Sequence, residues 1–385
     1  MPTYKFGLIG DNLDLKQNIS FDINSQGGII NLVYEDCEDI IQFRTRRENY
    51  LMIPGFINSH VHIGDSFAKE KGYNQDLIDI VAPPSGLKHM LLRDTASNII
   101  LQGIQQAALE MISNGITFFI DFREGGVEGI KILKRALYEN PINYHIYGRY
   151  NTPDEIEQVF KKANGLGLSS YKKLHDRVKN DVKTFKLQYS KLIACHHAEV
   201  SQKPTLFKKI LDDGLVQIII HGTHLSKGEL KQLKAAHLSL VLCPRSNGYF
   251  GVGFPPIVDI LDLKIPICLG SDNIMNNSPN LFEEMRYLYL IFKVLNKARK
   301  KPSLSASDLL KMSTINAARS FNIQNQVGSI KEGKQGDYFL IDLNEPNYYS
   351  IALEKDLIYP LIVQRTQSST IKQVFIRGEL VYERI

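Results

Sequence analysis

The sequence is poor in the features that mark secreted and membrane proteins. Its 385 residues contain no tryptophan and only four cysteines. These cysteines are widely spaced and form no Cys-x-x-Cys pair, so we expect reduced thiols in a cytoplasmic protein. The N-terminal residues lack a basic segment followed by an apolar one, and no signal peptide is expected. No apolar run approaches the length of a membrane span, so no membrane partner is expected either.

Charge and composition also exclude a nucleic-acid-binding class. The formal charge of +5 is small for this length and is not gathered into a basic block. Hydrophobic residues make up 43% and charged residues 23%, as in ordinary globular proteins. The length suits one large α/β domain with a smaller unit. A homodimer stays open, because the sequence identifies no interface.

Strand-like and helix-like segments divide the sequence into three parts. Residues 1–52 and 323–385 read as short strands, whereas residues 53–322 alternate strands with helices. Such alternation indicates parallel βαβ units, and eight of them match the size of a (β/α)8 TIM barrel. We therefore expect an α/β protein in which a barrel over residues 53–322 adjoins a small β-sandwich built from both chain termini.

The predicted barrel strands end at His62, Phe122, Tyr150, Tyr171, His197, His221, Cys243 and Asp272. A long connection over residues 63–94 follows the first strand, and Pro83-Pro84 forbids a continuous helix there. A connection of this length is often a lid. Later helices are predicted over Asn280–Lys297 and Ser305–Phe321, and a last strand over Val374–Tyr382.

A His-x-His pair ends the first barrel strand. Side chains alternate faces along a strand, so His60 and His62 point the same way and Val61 points to the other face. Two imidazoles side by side make half of a metal site, although an isolated pair is more often two polar residues at a strand end.

Other polar residues fall at the ends of later barrel strands, where barrel enzymes carry their functional side chains. His196 ends the fifth strand, His221 the sixth and Asp272 the eighth. His60, His62, His196 and Asp272 thus offer three imidazole nitrogens and a carboxylate oxygen, a suitable set for one divalent metal, zinc first and iron second. Such a metal lowers the pKa of a bound water and supplies hydroxide as nucleophile.

Three residues are candidates for catalysis beside this metal. Glu199 lies three residues after His196, where a carboxylate can shuttle a proton to the atom that becomes basic. His221 can orient the water or polarise the electrophile. Asp272 can act both as ligand and as acceptor of the water proton.

Arginines at the same strand ends are candidates for substrate binding. Arg123, Arg149 and Arg245 end or follow the second, third and seventh strands. For any one of them, an internal salt bridge is the more common role. Three arginines around the mouth of one barrel favour at least one contact with an anionic or strongly hydrogen-bonding substrate group. The loop containing Arg245 and Asn247 is the best single candidate.

In combination, these residues resemble the amidohydrolase superfamily, specifically its mononuclear deaminase and chlorohydrolase branch. The matching segments span nearly the whole chain and are Pro54–His62, His196-x-x-Glu199, His221, Gly270–Asn273, Thr314–Arg319 and Val327–Asp337. The resemblance implies a barrel with a sandwich built from both termini and a catalytic divalent metal. It assigns the metal to His60, His62, His196 and Asp272, the proton shuttle to Glu199 and an acid/base or substrate contact to His221.

One departure bears on the number of metals. Binuclear members commonly place a carboxylated lysine at the end of the fourth strand, and the segment Gly165–Tyr171 contains none. The His196-x-x-Glu199 pattern also resembles the deaminases, so we expect one metal.

The resemblance implies deamination of an amino-substituted heterocycle, with purine-derived nucleosides or bases as the leading class. A hydrolase that opens a cyclic amide or displaces halide from a ring uses the same residues and stays open. A non-catalytic scaffold is the remote alternative, because such a protein need not keep a complete ligand set.

Overall fold

The first part of the chain forms strands of a terminal β unit. The computed structural model describes residues 3–38, 40–42, 49–297, 302–350 and 352–384. The N-terminal strands are β1 (Thr3–Ile9), β2 (Asp14–Ile23), β3 (Ile29–Asp36), β4 (Ile40–Gln42) and β5 (Tyr50–Pro54). Strand β2 was not predicted, because polar residues interrupt the alternation of its buried Leu15, Ile19 and Phe21.

Parallel strands that alternate with helices form the predicted barrel. They are β6 (Phe56–His62), β7 (Ile116–Asp121), β8 (Asn143–Gly148), β9 (Gly165–Leu168), β10 (Leu192–His197), β11 (Ile218–His221), β12 (Ser239–Leu242), β13 (Ile267–Leu269) and β14 (Asp272–Asn273). Each strand from β6 to β13 pairs with the next along the chain, and β14 pairs with β6. Because β13 and β14 are two pieces of the eighth strand position, this pairing closes the barrel.

The seam between the first and eighth strand positions is held by side chains as well as by backbone. Asn58 Nδ2 donates to Ser271 Oγ over 2.7 Å, and Ser271 N donates to Asn58 Oδ1 over 3.0 Å. At Gly270 the two backbones approach so closely that an added Cβ would lie 2.6 Å from His60 Cβ and 2.8 Å from His60 N. The eighth strand therefore breaks at a glycine that no larger residue can replace without movement.

Helices surround the barrel. In chain order they are α1 (Leu77–Val81), α2 (Leu87–Asp94), α3 (Ser97–Ser113), α4 (Gly126–Ala136), α5 (Ile156–Lys162), α6 (Asp176–Tyr189), α7 (Pro204–Asp213), α8 (Lys227–Ala235), α9 (Pro244–Tyr249), α10 (Ile257–Asp262), α11 (Leu281–Leu295), α12 (Ala306–Met312), α13 (Ile315–Ser320) and α14 (Ile358–Arg365). Helices α1 and α2 lie within the predicted lid, on either side of Pro83-Pro84. None of the helices in the described ranges is long and apolar enough to cross a membrane.

Two predicted elements are divided in the structure. The helix predicted over Ser305–Phe321 is two helices, because the Ser313 carbonyl turns away to accept from Ile57 N of β6 and Thr314 leaves the helical conformation. The strand predicted over Val374–Tyr382 is a hairpin of β17 (Ile371–Ile376) and β18 (Glu379–Glu383). Its turn places both Arg377 and Gly378 at positive φ.

The two ends of the chain share one mixed sheet. The remaining C-terminal strands are β15 (Tyr338–Asp342) and β16 (Ala352–Glu354). The seven-stranded sheet has the order β18-β17-β15-β5-β1-β2-β3, and β16 pairs separately with β4. Strand β5 therefore lies between an N-terminal and a C-terminal partner. The predicted fold class, a barrel with a β unit built from both termini, is confirmed, whereas the boundaries at residues 52 and 322 stay predictions.

Candidate metal centre

Strand β6 presents His60 and His62 to the inside of the barrel, where later strands bring their own polar residues. The ligand atoms of His60, His62 and His196 lie within 4.8 Å of one another, and so do those of His60, His221 and Asp272. His60 belongs to both groups and its side chain is fully buried. All four predicted metal ligands, and His221, therefore meet at one place.

A carboxylate oxygen faces the two histidines of β6. Asp272 Oδ1 lies 3.3 Å from His60 Nε2 and 3.5 Å from His62 Nε2. The other oxygen, Oδ2, accepts a hydrogen bond of 2.6 Å from Ser246 Oγ. One oxygen of Asp272 is thus held from outside while the other points at the imidazoles.

Backbone carbonyls fix the tautomers of two of the histidines. His62 Nδ1 is 2.9 Å from the carbonyl of Phe122, and His196 Nδ1 is 2.9 Å from the carbonyl of Leu168. A carbonyl only accepts, so each Nδ1 carries the proton and each Nε2 keeps its lone pair. That lone pair is what a metal requires of a histidine.

His60 provides an independent test of whether these residues fit a metal. In the described part of the chain, neither of its buried ring nitrogens has a hydrogen-bond partner of good geometry, although Nε2 lies near Asp272. An unsatisfied buried polar atom is costly, and native structures leave few of them. A divalent ion would satisfy it, so the donor set fits the metal that the resemblance implies.

Burial sets the charge of the centre. It lowers the pKa of His60 to about 4 and that of His62 to about 3, and it lowers the pKa of His196 as well. Burial opposes the ionisation of Asp272, but the neighbouring imidazoles, His60 foremost, outweigh it and hold the pKa of Asp272 well below its usual value. At neutral pH the centre therefore offers neutral imidazoles and one carboxylate.

Glu199 and His221 lie together at the edge of this cluster. The backbone of Ala198 has φ of 51°, and this turn follows His197, the last residue of β10. Glu199 Oε1 then lies 3.6 Å from His221 Nε2. Burial raises the pKa of Glu199, whose side chain retains 18% exposure. A partly accessible carboxyl with a raised pKa is suited to taking up and releasing protons.

The backbone is strained at two of these residues. His221 has φ of 68° and Asp272 has φ of 63°. A non-glycine residue in this region costs about 1–3 kcal/mol and persists only where its surroundings enforce it. Here His221 ends β11 and Asp272 begins β14, and both direct their side chains to the cluster.

The four predicted substrate contacts have different surroundings. Arg149 lines a cavity and pairs with Glu124 through Nη1, whereas its Nε has no hydrogen-bond partner within the described ranges. Arg123 is buried beside Asp121 and Glu124. The structure does not bring Arg123 to the cavity, because its charge is neutralised inside the fold.

The loop that contains Arg245 is also turned away from the cavity. Arg245 Nη2 lies 2.8 Å from Glu283 Oε2, and its backbone N donates to Glu284 Oε2 over 3.1 Å. Asn247 is buried, with Oδ1 3.2 Å from His221 Nδ1 and Nδ2 donating to Thr223 Oγ1. Arg245 therefore anchors the loop to α11, and Asn247 orients His221. The sequence could not reveal this, because a position just after a barrel strand does not determine which partner a side chain meets.

A cavity of about 600 Å³ lies beside the centre. It is bounded by the lid residues Pro83, Pro84, His89, Leu92 and Arg93, and by residues 124–125, 149–151, 167–169 and 173. Two of these residues contact the centre itself. Leu168 accepts from His196, and Glu124 Oε1 lies 2.7 Å from His62 Nδ1. The cavity walls thus include direct neighbours of two metal-ligand candidates.

Sequence reasoning missed a buried lysine beside the centre. Lys88 of α2 is 2% exposed, and its Nζ lies 2.7 Å from Glu124 Oε1. Glu124 also pairs with Arg123 and Arg149. No periodicity marks Lys88, because its position depends on how the lid folds back over the barrel.

Comparison with known proteins agrees with the geometry. The sequence model of the Amidohydrolase family matches residues 51–213 and 179–381. A protein of Methanothermobacter thermautotrophicus, provisionally named an aminohydrolase, is 31% identical over 352 residues, 86% of this chain and 86% of the relative. A 5-methylthioadenosine/S-adenosylhomocysteine deaminase of Caldanaerobacter subterraneus is 26% identical over 376 residues, 87% of this chain and 82% of that protein.

Solved structures share the fold over almost the whole chain. An adenosine deaminase from Xanthomonas campestris with bound zinc has a TM-score of 0.80 at 17% identity, covering 98% of this chain and 91% of that one. An atrazine chlorohydrolase from Arthrobacter aurescens, complexed with zinc, has a TM-score of 0.82 at 16% identity, covering 99% and 94%. At these identities the likeness establishes the architecture alone.

The chain belongs to the amidohydrolase family. Within that family, its relatives carry aminohydrolase and deaminase names. The predicted family and the predicted enzyme class, an aminohydrolase acting on carbon–nitrogen bonds, are confirmed.

Proposed function

We propose that this protein binds one divalent metal ion through His60, His62, His196 and Asp272. Zinc is the first choice for this ion and iron the second. The observation that carries the proposal is that these four side chains bring their ligand atoms to one place. The hydrogen bonds of His62 and His196 leave their Nε2 atoms unprotonated. Three imidazoles and a carboxylate suit zinc. Zinc in two structurally similar proteins supports the choice of metal.

The proposed reaction is hydrolytic removal of an amino group from a heterocycle. Water adds to the amidine carbon of the ring, the exocyclic carbon–nitrogen bond breaks, ammonia leaves and a ring carbonyl remains. The metal, when bound, supplies Lewis acidity that brings the pKa of water towards neutrality. The remaining work falls to side chains that move protons and hold the substrate.

Three residues have proposed roles in this proton transfer. Glu199 takes up one proton of the water at its carboxyl and delivers it to the ring nitrogen. The second proton, which Asp272 accepts from the added oxygen, passes through Glu199 to the departing amine. The raised pKa of Glu199 supports this role. His221, oriented by Asn247, contacts the substrate or the attacking water. Asp272 accepts the proton of the water at the oxygen that Ser246 does not hold.

The proposed substrate class is a purine-derived nucleoside or base. A deaminase of 5-methylthioadenosine and S-adenosylhomocysteine among the relatives supports it, and a cavity of about 600 Å³ is in the range of small-molecule sites. Among the predicted substrate contacts we retain Arg149. Arg149 pairs with Glu124 but also lines the cavity and has an unpartnered Nε. Arg123, Arg245 and Asn247 have protein partners and are not among the residues that line this cavity, which argues against a direct contact.

Metal analysis and an ammonia-release assay test the proposal together. We expect about one zinc or iron per chain in protein purified without chelator, and ammonia release from a panel of aminopurines and their nucleosides. Less than about half a metal per chain would contradict the metal site. Metal without ammonia release, but with chloride release or opening of a cyclic amide, would establish the alternative hydrolase.

A further inference from the structure

A lysine of the lid is buried beside the candidate metal centre. Lys88 Nζ lies 2.7 Å from Asn273 Oδ1, 2.7 Å from Glu124 Oε1 and 3.4 Å from Asp65 Oδ2. The side chain is 2% exposed. An ammonium group has three N–H donors, and here three side-chain oxygens surround it.

Burying this charge requires compensation. An unpaired ammonium in a protein interior is strongly unfavourable, whereas one paired with carboxylates and hydrogen-bonded can be accommodated. The neighbourhood is balanced in formal charge. It holds three carboxylates and three cationic side chains, which are Asp65, Asp121, Glu124, Lys88, Arg123 and Arg149. Removing Lys88 would leave this buried group with an excess of negative charge.

Two of the oxygens around Lys88 belong to direct neighbours of metal-ligand candidates. The Glu124 oxygen that lies 2.7 Å from Lys88 Nζ also lies 2.7 Å from His62 Nδ1. Asn273 follows Asp272 in the chain and pairs with His62 across the barrel seam. Lys88 thus contacts both a carboxylate that lies against one ligand and the chain neighbour of another.

The third contact extends this connection along the chain. Asp65 Oδ1 accepts a hydrogen bond of 3.0 Å from Met275 N, two residues beyond Asn273. Asp65 lies in the short turn that follows β6. Lys88, reaching in from α2, therefore holds together the segments that follow the first and the eighth barrel strands.

From these contacts we propose that Lys88 is a positioning residue of the metal centre. It fixes the Glu124 carboxylate against His62 Nδ1 and fixes Asn273 beside Asp272, so that both ligands keep their metal-binding orientation. Partners that hold metal ligands in place commonly change metal affinity about 10–100-fold when they are removed. The inference depends on the proposed metal site, and it makes Lys88 neither a ligand nor a substrate contact.

Zinc affinity, measured on purified full-length protein by competition with a chelator, tests the role. Lys88→Met keeps the aliphatic stem and removes the ammonium, and Glu124→Gln removes the charge of its partner. We expect each variant to bind zinc about 10-fold more weakly or worse. The double variant should bind zinc about as tightly as the weaker-binding of the two single variants, because the two side chains act as one unit.

A lysine in the same segment gives a matched control. Lys69 pairs with Glu110 at the surface, and its side chain is 54% exposed. The zinc affinity of Lys69→Met should stay within about twofold of that of the unaltered protein, because exposed ion pairs contribute little. Melting of the metal-free variants shows whether they fold. Should Lys88→Met fail to fold, Asn273→Ala removes one acceptor of Lys88 and should weaken zinc binding similarly.

The outcomes separate the two proposals. If the unaltered protein binds no zinc, the proposed metal site is wrong. If it binds zinc and Lys88→Met binds equally well, the positioning role is wrong. A lower melting temperature of metal-free Lys88→Met with unchanged zinc affinity would reveal a merely structural contact. Losses that multiply in the double variant would likewise overturn the coupling between Lys88 and Glu124.

Discussion

In the candidate metal centre, the ring nitrogens of His60 find no hydrogen-bond partner of good geometry among the described residues. We expect His60→Asn to lower zinc affinity by more than about 100-fold, beyond the usual cost of losing an outer partner. The control is His237→Asn, which changes an exposed histidine with φ of 53° to a residue that tolerates this conformation. Zinc retained by His60→Asn but lost by His237→Asn would contradict the assignment.

Glu199 offers a second test at the residue scale. Glu199→Gln keeps the shape of the side chain but removes its ability to exchange a proton. Because the residue is not a proposed ligand, zinc content should stay near one per chain while kcat falls about 10²–10⁴-fold. Metal analysis and turnover on the same sample decide the matter. An equal loss of zinc and of activity would assign Glu199 to metal binding instead.

Buried neutral histidines make the stability of the metal-free protein depend on pH. Burial lowers the pKa of His60 from 6.5 to about 4 and that of His62 to about 3. Below pH 6.5 the unfolded chain takes up protons on these imidazoles, whereas the folded chain resists protonation until the pH approaches those lower values. Falling pH therefore favours unfolding across this window.

We expect the melting temperature of the metal-free protein to decrease as the pH falls from about 6.5 to about 4. Asparagine does not titrate, so His60→Asn should show a shallower decrease over the same range. Parallel curves for the two proteins would indicate that His60 has the same pKa in the folded protein as in the unfolded chain, and would contradict the expectation.

At the scale of elements, the close approach of Gly270 to β6 is the sharpest constraint. A Cβ at this position would meet the Cβ and backbone of His60. Gly270→Ala must therefore shift the eighth strand away from β6, and we expect both a lower melting temperature and weaker zinc binding. At Gly228 in α8 an added Cβ meets nothing nearer than 3.9 Å, so Gly228→Ala should not lower either quantity.

The same scale shows how far the sequence could predict this molecule. Strand ends that carry His60, His62, His196 and Asp272 were recognisable, because period-two alternation and apolar runs mark buried strands. The helix division at Thr314 depends on a carbonyl that turns to another element, and no local pattern encodes such a contact. Lys88 was missed for the same reason, since its acceptors lie in distant segments.

The arginines show the corresponding limit for the site. A position at a strand end brings a residue near the barrel mouth but does not determine which neighbour takes its charge. Arg123 and Arg245 meet carboxylates of their own fold, whereas Arg149, although it also pairs with Glu124, reaches the cavity. Whether an arginine is neutralised inside the fold depends on where the fold places carboxylates such as Asp121, Glu283 and Glu284.

At the scale of the whole molecule, the terminal sheet joins both ends of the chain through β5. Strand β5 pairs with β1 on one edge and with β15 on the other. Truncation after Gly336 removes β15, β16, α14, β17 and β18 and uncovers the apolar edge of β5, so we expect insoluble protein. Truncation after Gly378 removes only β18, an edge strand without buried residues, and should leave the protein soluble. Soluble protein in both cases would show that β5 needs no C-terminal partner.

The position of β5 also has a consequence for synthesis on the ribosome. Gly55 alone separates β5 from the strand that carries His60 and His62. One partner of β5 emerges before it, but the other emerges only after every barrel strand has been translated. Throughout elongation, the nascent chain therefore holds an open strand edge next to its first two histidines. Chaperones that shield such edges would have their longest opportunity here, until the ribosome releases the final strands.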